Sequence, residues 1–316
     1  MKRRPNSSCR LGLALLASLI VGACSGPSFV SASPPESSDP ILSVGHAWVD
    51  EAGGGGTLAF DSYGESGVDE PAILFLHGWC ENRGFWKPTA TALQADTLCV
   101  SVDLPGYGSS SDLEGKPDPV AWAERVARLA LSVHDGPWVV VGHALGGVVA
   151  LETARILQAT NQGRGVVVVH GLYDPIRELD HEIVRAFSGS LEKDYPGQIN
   201  AFVDAMVPPR SAGALSGWVA DQMQSTDKGV AVAGLGALEH YDLPACLKAL
   251  NVPVRAINAK MRTTHVSANK RLIGDFEVYV LDSIEGPGLD LMLQDPVGFR
   301  ELLHRALQDF SPATSD

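Results

Sequence analysis

Trp138-Val139-Val140-Val141-Gly142-His143-Ala144-Leu145-Gly146-Gly147 is the stretch whose reading decides the architecture. Its tryptophan and three valines suit a buried strand. The run then breaks on glycine and passes straight into Val148 to Leu157, a helix-forming segment. Strand, sharp turn and helix make up the unit from which helix-covered parallel sheets are built. Glycines on both sides of the turn permit a backbone path that other residues resist, and Ala144 stands at its apex.

Working outward toward the amino terminus, Trp122, Val126, Leu129, Ala130 and Val133 recur at helical spacing, so a helix leads up to the strand. Before it lies Thr97 to Val102, a strand followed by Asp103-Leu104-Pro105-Gly106-Tyr107-Gly108-Ser109-Ser110. Earlier still, Ala72 to Leu76 is wholly apolar, as a buried parallel strand is, and ends in His77-Gly78-Trp79. Asn82 to Leu93 reads as the first helix. Ser43 to Val49 and Thr57 to Tyr63 read as an edge hairpin around Gly53-Gly54-Gly55-Gly56; a phosphate cradle would need a helix after those glycines, and none follows. Toward the carboxyl terminus, Gly165 to Val169 is a further strand, ending in His170-Gly171. Residues 172–250 are mostly helical, with Ile183, Val184, Phe187 and Leu191 on one face and Ile199, Phe202, Val203 and Met206 on another. Val252 to Asn258 and Phe276 to Leu281 are the last two strands, and Asp295-Pro296 opens a terminal helix.

The H-G-W turn, the D-L-P-G-Y-G turn and the G-H-A-L-G-G turn, in that order, resemble the α/β-hydrolase fold superfamily from about Ile41 to Phe310. The resemblance implies a mostly parallel eight-stranded sheet flanked by helices, with a core of residues 41–171 and 251–316 and a pocket-lining helical cap, 172–250, inserted after strand 6. In that family the pattern G-x-S-x-G holds a nucleophilic serine on the elbow between strand and helix. Here Ala144 occupies the position, and a methyl group cannot attack a carbonyl. The same resemblance makes the N–H groups of Trp79 and Leu145 the oxyanion donors. In that family Asp103 has a structural, loop-bracing role; His77 reads as a turn-stabilising residue, and His77, Gly78 and His143 count among the candidates to line the pocket. The acid position falls on His170, after the sixth strand, or on Lys260, after the seventh, where Lys260 and Arg262 stand in place of a carboxylate. In the loop Gly286 to Pro296 the base position falls on Leu289.

The three roles are therefore lost together, which implies a pseudo-hydrolase that keeps a pocket for a small apolar ligand or a surface for a protein partner. His143 reads as a buried histidine. His265 and Asp290 are the polar groups expected to reach the pocket, and such a pair supports the alternative, an esterase-like enzyme or lyase using acid–base groups outside the triad. No metal-ligand spacing and no cofactor motif occurs.

The formal net charge is −13, and the basic residues Lys2, Arg3, Arg4 and Arg10 cluster at the amino terminus, so the remainder is more acidic still. That balance excludes nucleic acid as a partner. The basic start is followed by Leu11 to Val21, too short for a membrane span, and by Leu19-Ile20-Val21-Gly22-Ala23-Cys24, which resembles a bacterial lipobox. The expectation is a signal peptide over residues 1–23, a lipid anchor on Cys24, a flexible serine- and proline-rich tether to residue 40, and an extracytoplasmic place in the bacterial cell envelope. Cys80, Cys99 and Cys246 remain, and an oxidising compartment leaves a disulfide between two of them open, without specifying the pair.

Overall fold

Strands form where apolar, β-branched residues run between turn signals, and the computed structural model shows eight of them in one sheet. It describes residues 43–49, 56–111, 116–176, 180–207, 213–284 and 286–310. The expected signal, anchor, tether and first three loop glycines lie outside that set. The strands are β1 (Ser43–Val49), β2 (Gly56–Tyr63), β3 (Ala72–Leu76), β4 (Cys99–Val102), β5 (Trp138–His143), β6 (Gly163–Val169), β7 (Val254–Ala259) and β8 (Phe276–Leu281). Their order across the sheet is β1-β2-β4-β3-β5-β6-β7-β8. β1/β2 and β2/β4 are antiparallel and every other pair is parallel, so the edge hairpin and the mostly parallel sheet follow the sequence reading.

Alternation along β5 sends its residues to two cores. Trp138 and Val140 join Ala72, Leu74 and Leu76 of β3 on one face. There α2 (Pro119–Val133) and α3 (Leu145–Gln158), whose ranges follow α1 (Lys87–Leu93), cover the sheet with Trp122, Val126, Val149 and Leu157. Val139 and Val141 join Ile73 and Phe75 on the other face, under Phe85, Trp86 and Ala90 at the start of α1 and under the terminal helix (Pro296–Gln308) with its Phe299 and Leu303. Each such side chain, when fully buried, contributes about 1.5–3 kcal/mol. The first helix differs from expectation in one respect: Arg83–Trp86 is a 3-10 turn, and the α-helix starts at Lys87, where Pro88 at its first turn is tolerated.

Between β6 and β7 the chain forms α4 (His181–Lys193), α5 (Tyr195–Met206), α6 (Gly213–Ser225), α7 (Lys228–Gly236) and α8 (Leu243–Ala249). Asp180, Asp194, Asp227 and Asp242 cap four of these, each side chain accepting from a first-turn N–H. α4 to α7 rest on the loop after β3: the Trp79 indole donates to the Ala231 carbonyl at 2.8 Å, and Thr226 donates to the Cys80 carbonyl at 3.2 Å. α8 belongs with the sheet instead, since Cys246 and Leu247 pack with the α3 residues. The last elements are α9 (Val266–Lys270), α10 (Leu291–Gln294) and α11 (Pro296–Gln308), the last capped by Asp295.

Register positions the site. Leu76 stands opposite Gly142, His143 opposite Val169, and Val169 opposite Ile257. The carboxyl ends of four parallel strands thus end level, and their loops meet above Ala144, the usual place for ligands in open α/β sheets.

Candidate active site

Ala144 has φ +47° and ψ −110°, a left-handed-side conformation that a non-glycine residue adopts at a cost of roughly 1–3 kcal/mol. The turn around it is closed. A Cβ at Gly142 would lie 2.1 Å from the Gly146 carbonyl oxygen, and one at Gly146 would lie 2.2 Å from that of His77. Only glycine permits helix and strand to approach so closely. Leu145 is the first residue of α3, so its N–H belongs to the helix amides without an intrahelical partner, at the positive end of the helix dipole.

Above this turn lies a cavity of about 260 Å³. Trp79, Ala144, Leu145, His170 and Leu289 line it from the sheet side, and Val184, Phe187, Phe202, Leu235 and Leu238 from the inserted helices. Five of the sequence-derived positions therefore converge. Trp79, Ala144, Leu145, His170 and Leu289 all line this one cavity. Lys260 does not join them: it is exposed and pairs with Asp282 at 3.6 Å. Arg262, two residues on, lines the cavity instead and lies over the Tyr173 ring, its Cζ 4.4 Å from the centroid.

His265 is also absent from the cavity. It is exposed and precedes α9, with its backbone N–H on the Tyr173 carbonyl at 2.8 Å. The expected His265–Asp290 pair is thus corrected: the short helix after β7 turns His265 outward, while Asp290 is fully buried in another company. Asp174, the other acid in the region, accepts from the Ile176 N–H and does not line the cavity.

Asp290 shares its environment with His143 and Glu81, the residue that sequence reasoning missed. One ligand-type atom from each of the three falls within 4.8 Å of the other two, the one such group among the described residues. His143 Nδ1 lies 2.8 Å from Glu81 Oε1, and its Nε2–H donates to the Leu289 carbonyl at 2.7 Å. Glu81 also accepts from the Gly78 N–H at 2.7 Å. Gly78 must be glycine here, because a Cβ would come within 2.6 Å of Glu81 and 2.7 Å of His143. Burial alone would lower His143, but the Glu81 carboxylate, with Asp290 and the Leu289 carbonyl, raises it to about 9. Burial first, then Glu81, raises the Asp290 carboxyl well above its ordinary range, and neither of its oxygens receives a donor. An imidazolium, a carboxylate and a neutral carboxyl make the group electrically balanced as it stands. A divalent cation would have to take the proton's place between His143 and Glu81.

His77, Gly78 and His143, expected at the pocket, do not line the cavity; His77 and Asp103 brace the loops beside it. His77 is fully buried; its Nε2 accepts from the Leu104 N–H at 2.9 Å, so Nδ1 carries the proton and donates to the Gly78 carbonyl at 2.8 Å. Burial lowers its pKa, which keeps it neutral. Asp103 accepts from the backbone N–H groups of Arg83 and Ser109 and forms a short ion pair with the Arg83 guanidinium, tying the D-L-P-G-Y-G turn to the loop after β3. Cys80, Cys99 and Cys246 are buried free thiols, so none of them is bridged.

The three comparisons with known proteins agree with this geometry. The model of the alpha/beta hydrolase family matches residues 73–304. The pimeloyl-[acyl-carrier protein] methyl ester esterase of Pseudoalteromonas atlantica is 30% identical over 193 residues, 58% of this chain and 73% of that protein. The enzyme of the same name from Xanthomonas campestris is 32% identical over 194 residues, again 58% of this chain and 73% of its own length. Among solved structures, an esterase from Thermogutta terrifontis superposes with a TM-score of 0.70 at 21% identity, covering 85% of this chain and all of that one, 100%. A match of that extent, on a sheet of this order and a turn of this shape, makes the chain a member of the alpha/beta hydrolase family.

Proposed function

We propose that this protein is a pseudo-hydrolase: it holds a small apolar, acyl-type ligand in the cavity above Ala144 and lacks the triad that would hydrolyse it. The observation that carries this reading is the replacement of all the reacting side chains around an intact turn. Ala144 has no oxygen, Leu289 no basic nitrogen, and the wall where an acid is expected holds His170 and Arg262. The oxyanion position and binding alone supply only a residual rate, roughly 10³ to 10⁴ over water. An acyl-type ligand is further supported by the aromatic and aliphatic wall and by relatives that bear the name of methyl ester esterases. The same proposal tethers the protein through a lipid on Cys24 to the bacterial cell envelope, on the strength of the lipobox-like Leu19 to Cys24.

A second reading keeps catalysis. Glu81 lines the cavity and is backed by His143 and Asp290, an acid–base set independent of the triad. Hydrolysis of short and medium p-nitrophenyl esters, measured for the natural protein and for Ala144→Ser, separates the two. Background rates in both are expected, because a serine there has no base to activate it. Turnover by the natural protein that disappears in Glu81→Gln would replace the proposal with the second reading.

A further inference from the structure

We propose that Glu81, His143 and Asp290 form a binding site for one divalent transition-metal cation of the zinc type, behind the wall of the cavity. The inference goes beyond the proposed function and does not depend on what the cavity itself holds.

The three residues arrive from the loop after β3, the end of β5 and the loop after β8, so their convergence leaves no ligand spacing in the sequence. His143 and Asp290 are fully buried and Glu81 nearly so. One imidazole and two carboxylates suit zinc-type ions, whereas magnesium and calcium favour oxygen alone. His143 Nδ1 and Glu81 Oε1 face each other at 2.8 Å, and one ligand-type atom from each of the three residues lies within 4.8 Å of the others. An ion at about 2.0–2.2 Å from each donor would part His143 from Glu81 by a few tenths of an ångström and draw Asp290 in.

The surroundings brace these donors as metal ligands are braced. His143 gives its Nε2–H to the Leu289 carbonyl at 2.7 Å, which turns Nδ1 toward the carboxylates. A backbone carbonyl on the far ring nitrogen is the usual support of a ligating histidine. Glu81 Oε2 is pinned by the Gly78 N–H at 2.7 Å, so that carboxylate too has a fixed direction. Asp290 supplies the observation that points to an ion. Its two oxygens accept from no donor among the described residues, and its side-chain hydrogen bond runs to Glu81, inside the group. A buried carboxyl without outside donors is unfavourable, and a cation supplies what the protein does not. Glu81 lines the cavity, which gives the ion a way in.

Charge balances in both states. Without an ion, one proton between His143 and Glu81 and one on Asp290 keep the group neutral. When both protons leave to solvent, a neutral imidazole and two carboxylates carry two negative charges, and one dication cancels them. Three protein donors leave a tetrahedral ion one position for water.

Calorimetric titration of the full-length chain, first stripped with a chelator, compares Zn²⁺ with Mg²⁺. One Zn²⁺ per chain is expected at this site, with Mg²⁺ about a hundredfold weaker or worse. Asp290→Asn, which keeps the shape of the neutral carboxyl, should weaken that Zn²⁺ about a hundredfold, and His143→Gln should do the same. The His143 ring signals of the natural protein should shift with one equivalent of Zn²⁺ and stay in place with Mg²⁺. Zn²⁺ held equally well by both variants sits elsewhere, on exposed histidines or amino-terminal cysteines, and overturns the proposal, as does a natural protein that binds none. Should the variants fail to fold, as circular dichroism would show, the ring titration of the natural protein decides alone, and unmoved His143 signals refute the site. None of these readouts involves ester turnover or an alkyl ligand, so the proposed function stands or falls separately.

Discussion

The wall of the cavity has two sides built on different principles. On one side, the loop after β3 and the turn after β5 bring Trp79, Ala144 and Leu145 to the cavity, and the turn's shape is enforced by Gly142 and Gly146, whose Cβ atoms would collide with backbone at 2.1 and 2.2 Å. On the other side, the ends of β6, β7 and β8 present side chains: His170, Arg262 and Leu289. The first side keeps its geometry whatever side chain stands at residue 144, because the geometry is the fold itself. On the second side the chemistry is carried by the side chains themselves, so a substitution there changes it directly. A site made of backbone outlasts one made of side chains.

That contrast breaks if the backbone side proves tolerant. Gly142→Ala should cost about 3 kcal/mol or more in a chemical-denaturation midpoint, since strand or helix must shift to admit one methyl. Arg262→Gln, on the other side, should cost clearly less, because it alters a side chain over the Tyr173 ring and no backbone path. Similar losses for both would show that the two sides are not distinct in kind.

The two histidines that meet at the boundary, with ring centroids 5.9 Å apart, sharpen the contrast through pH. His143 is raised to about 9, so its stabilisation is fully present below about 6.5 and lost as pH rises through 9, on the order of 3 kcal/mol. Asp290, also raised, acts in the same direction. His170 is lowered to about 3, so its contribution is present above about 6.5 and lost as pH falls toward 3. Ring NMR should find His143 protonated and His170 neutral at pH 7; the same protonation state in both would contradict the arrangement. The smallest effect concerns Ala144 itself. Ala144→Gly should raise stability by about 1 kcal/mol, because relief of the positive φ outweighs the added freedom of the unfolded chain. A loss of stability would mean that the turn is unstrained.

Much of this was legible in the residues. Ser43–Val49, Ala72–Leu76 and Phe276–Leu281 are strands over the very ranges their apolar runs mark, and Asp295-Pro296 caps and opens the last helix as its residue types require. The bracing by His77 and Asp103 followed from the motifs that contain them. Glu81 did not, because its role exists only once residues 81, 143 and 290 converge across three loops. The available signal was local: an acid three residues after Gly78, placed to accept that glycine's N–H. Arg262 was passed over for Lys260 because position within an irregular loop has no period to count. His265 was misplaced because a short helix, Val266–Lys270, follows it and sends it to the surface.

The close approach of helix and strand at Gly142, Gly146 and Gly147 has a thermodynamic consequence. With the α3 backbone resting directly on β5 and on the end of β3, the Ala144 turn has no slack through which its amides could wander. Whatever part of a ligand settles there orders only itself, since the backbone around it has surrendered its conformational entropy during folding. Association at this end should therefore show little loss of protein entropy, whatever the inserted helices contribute at the other.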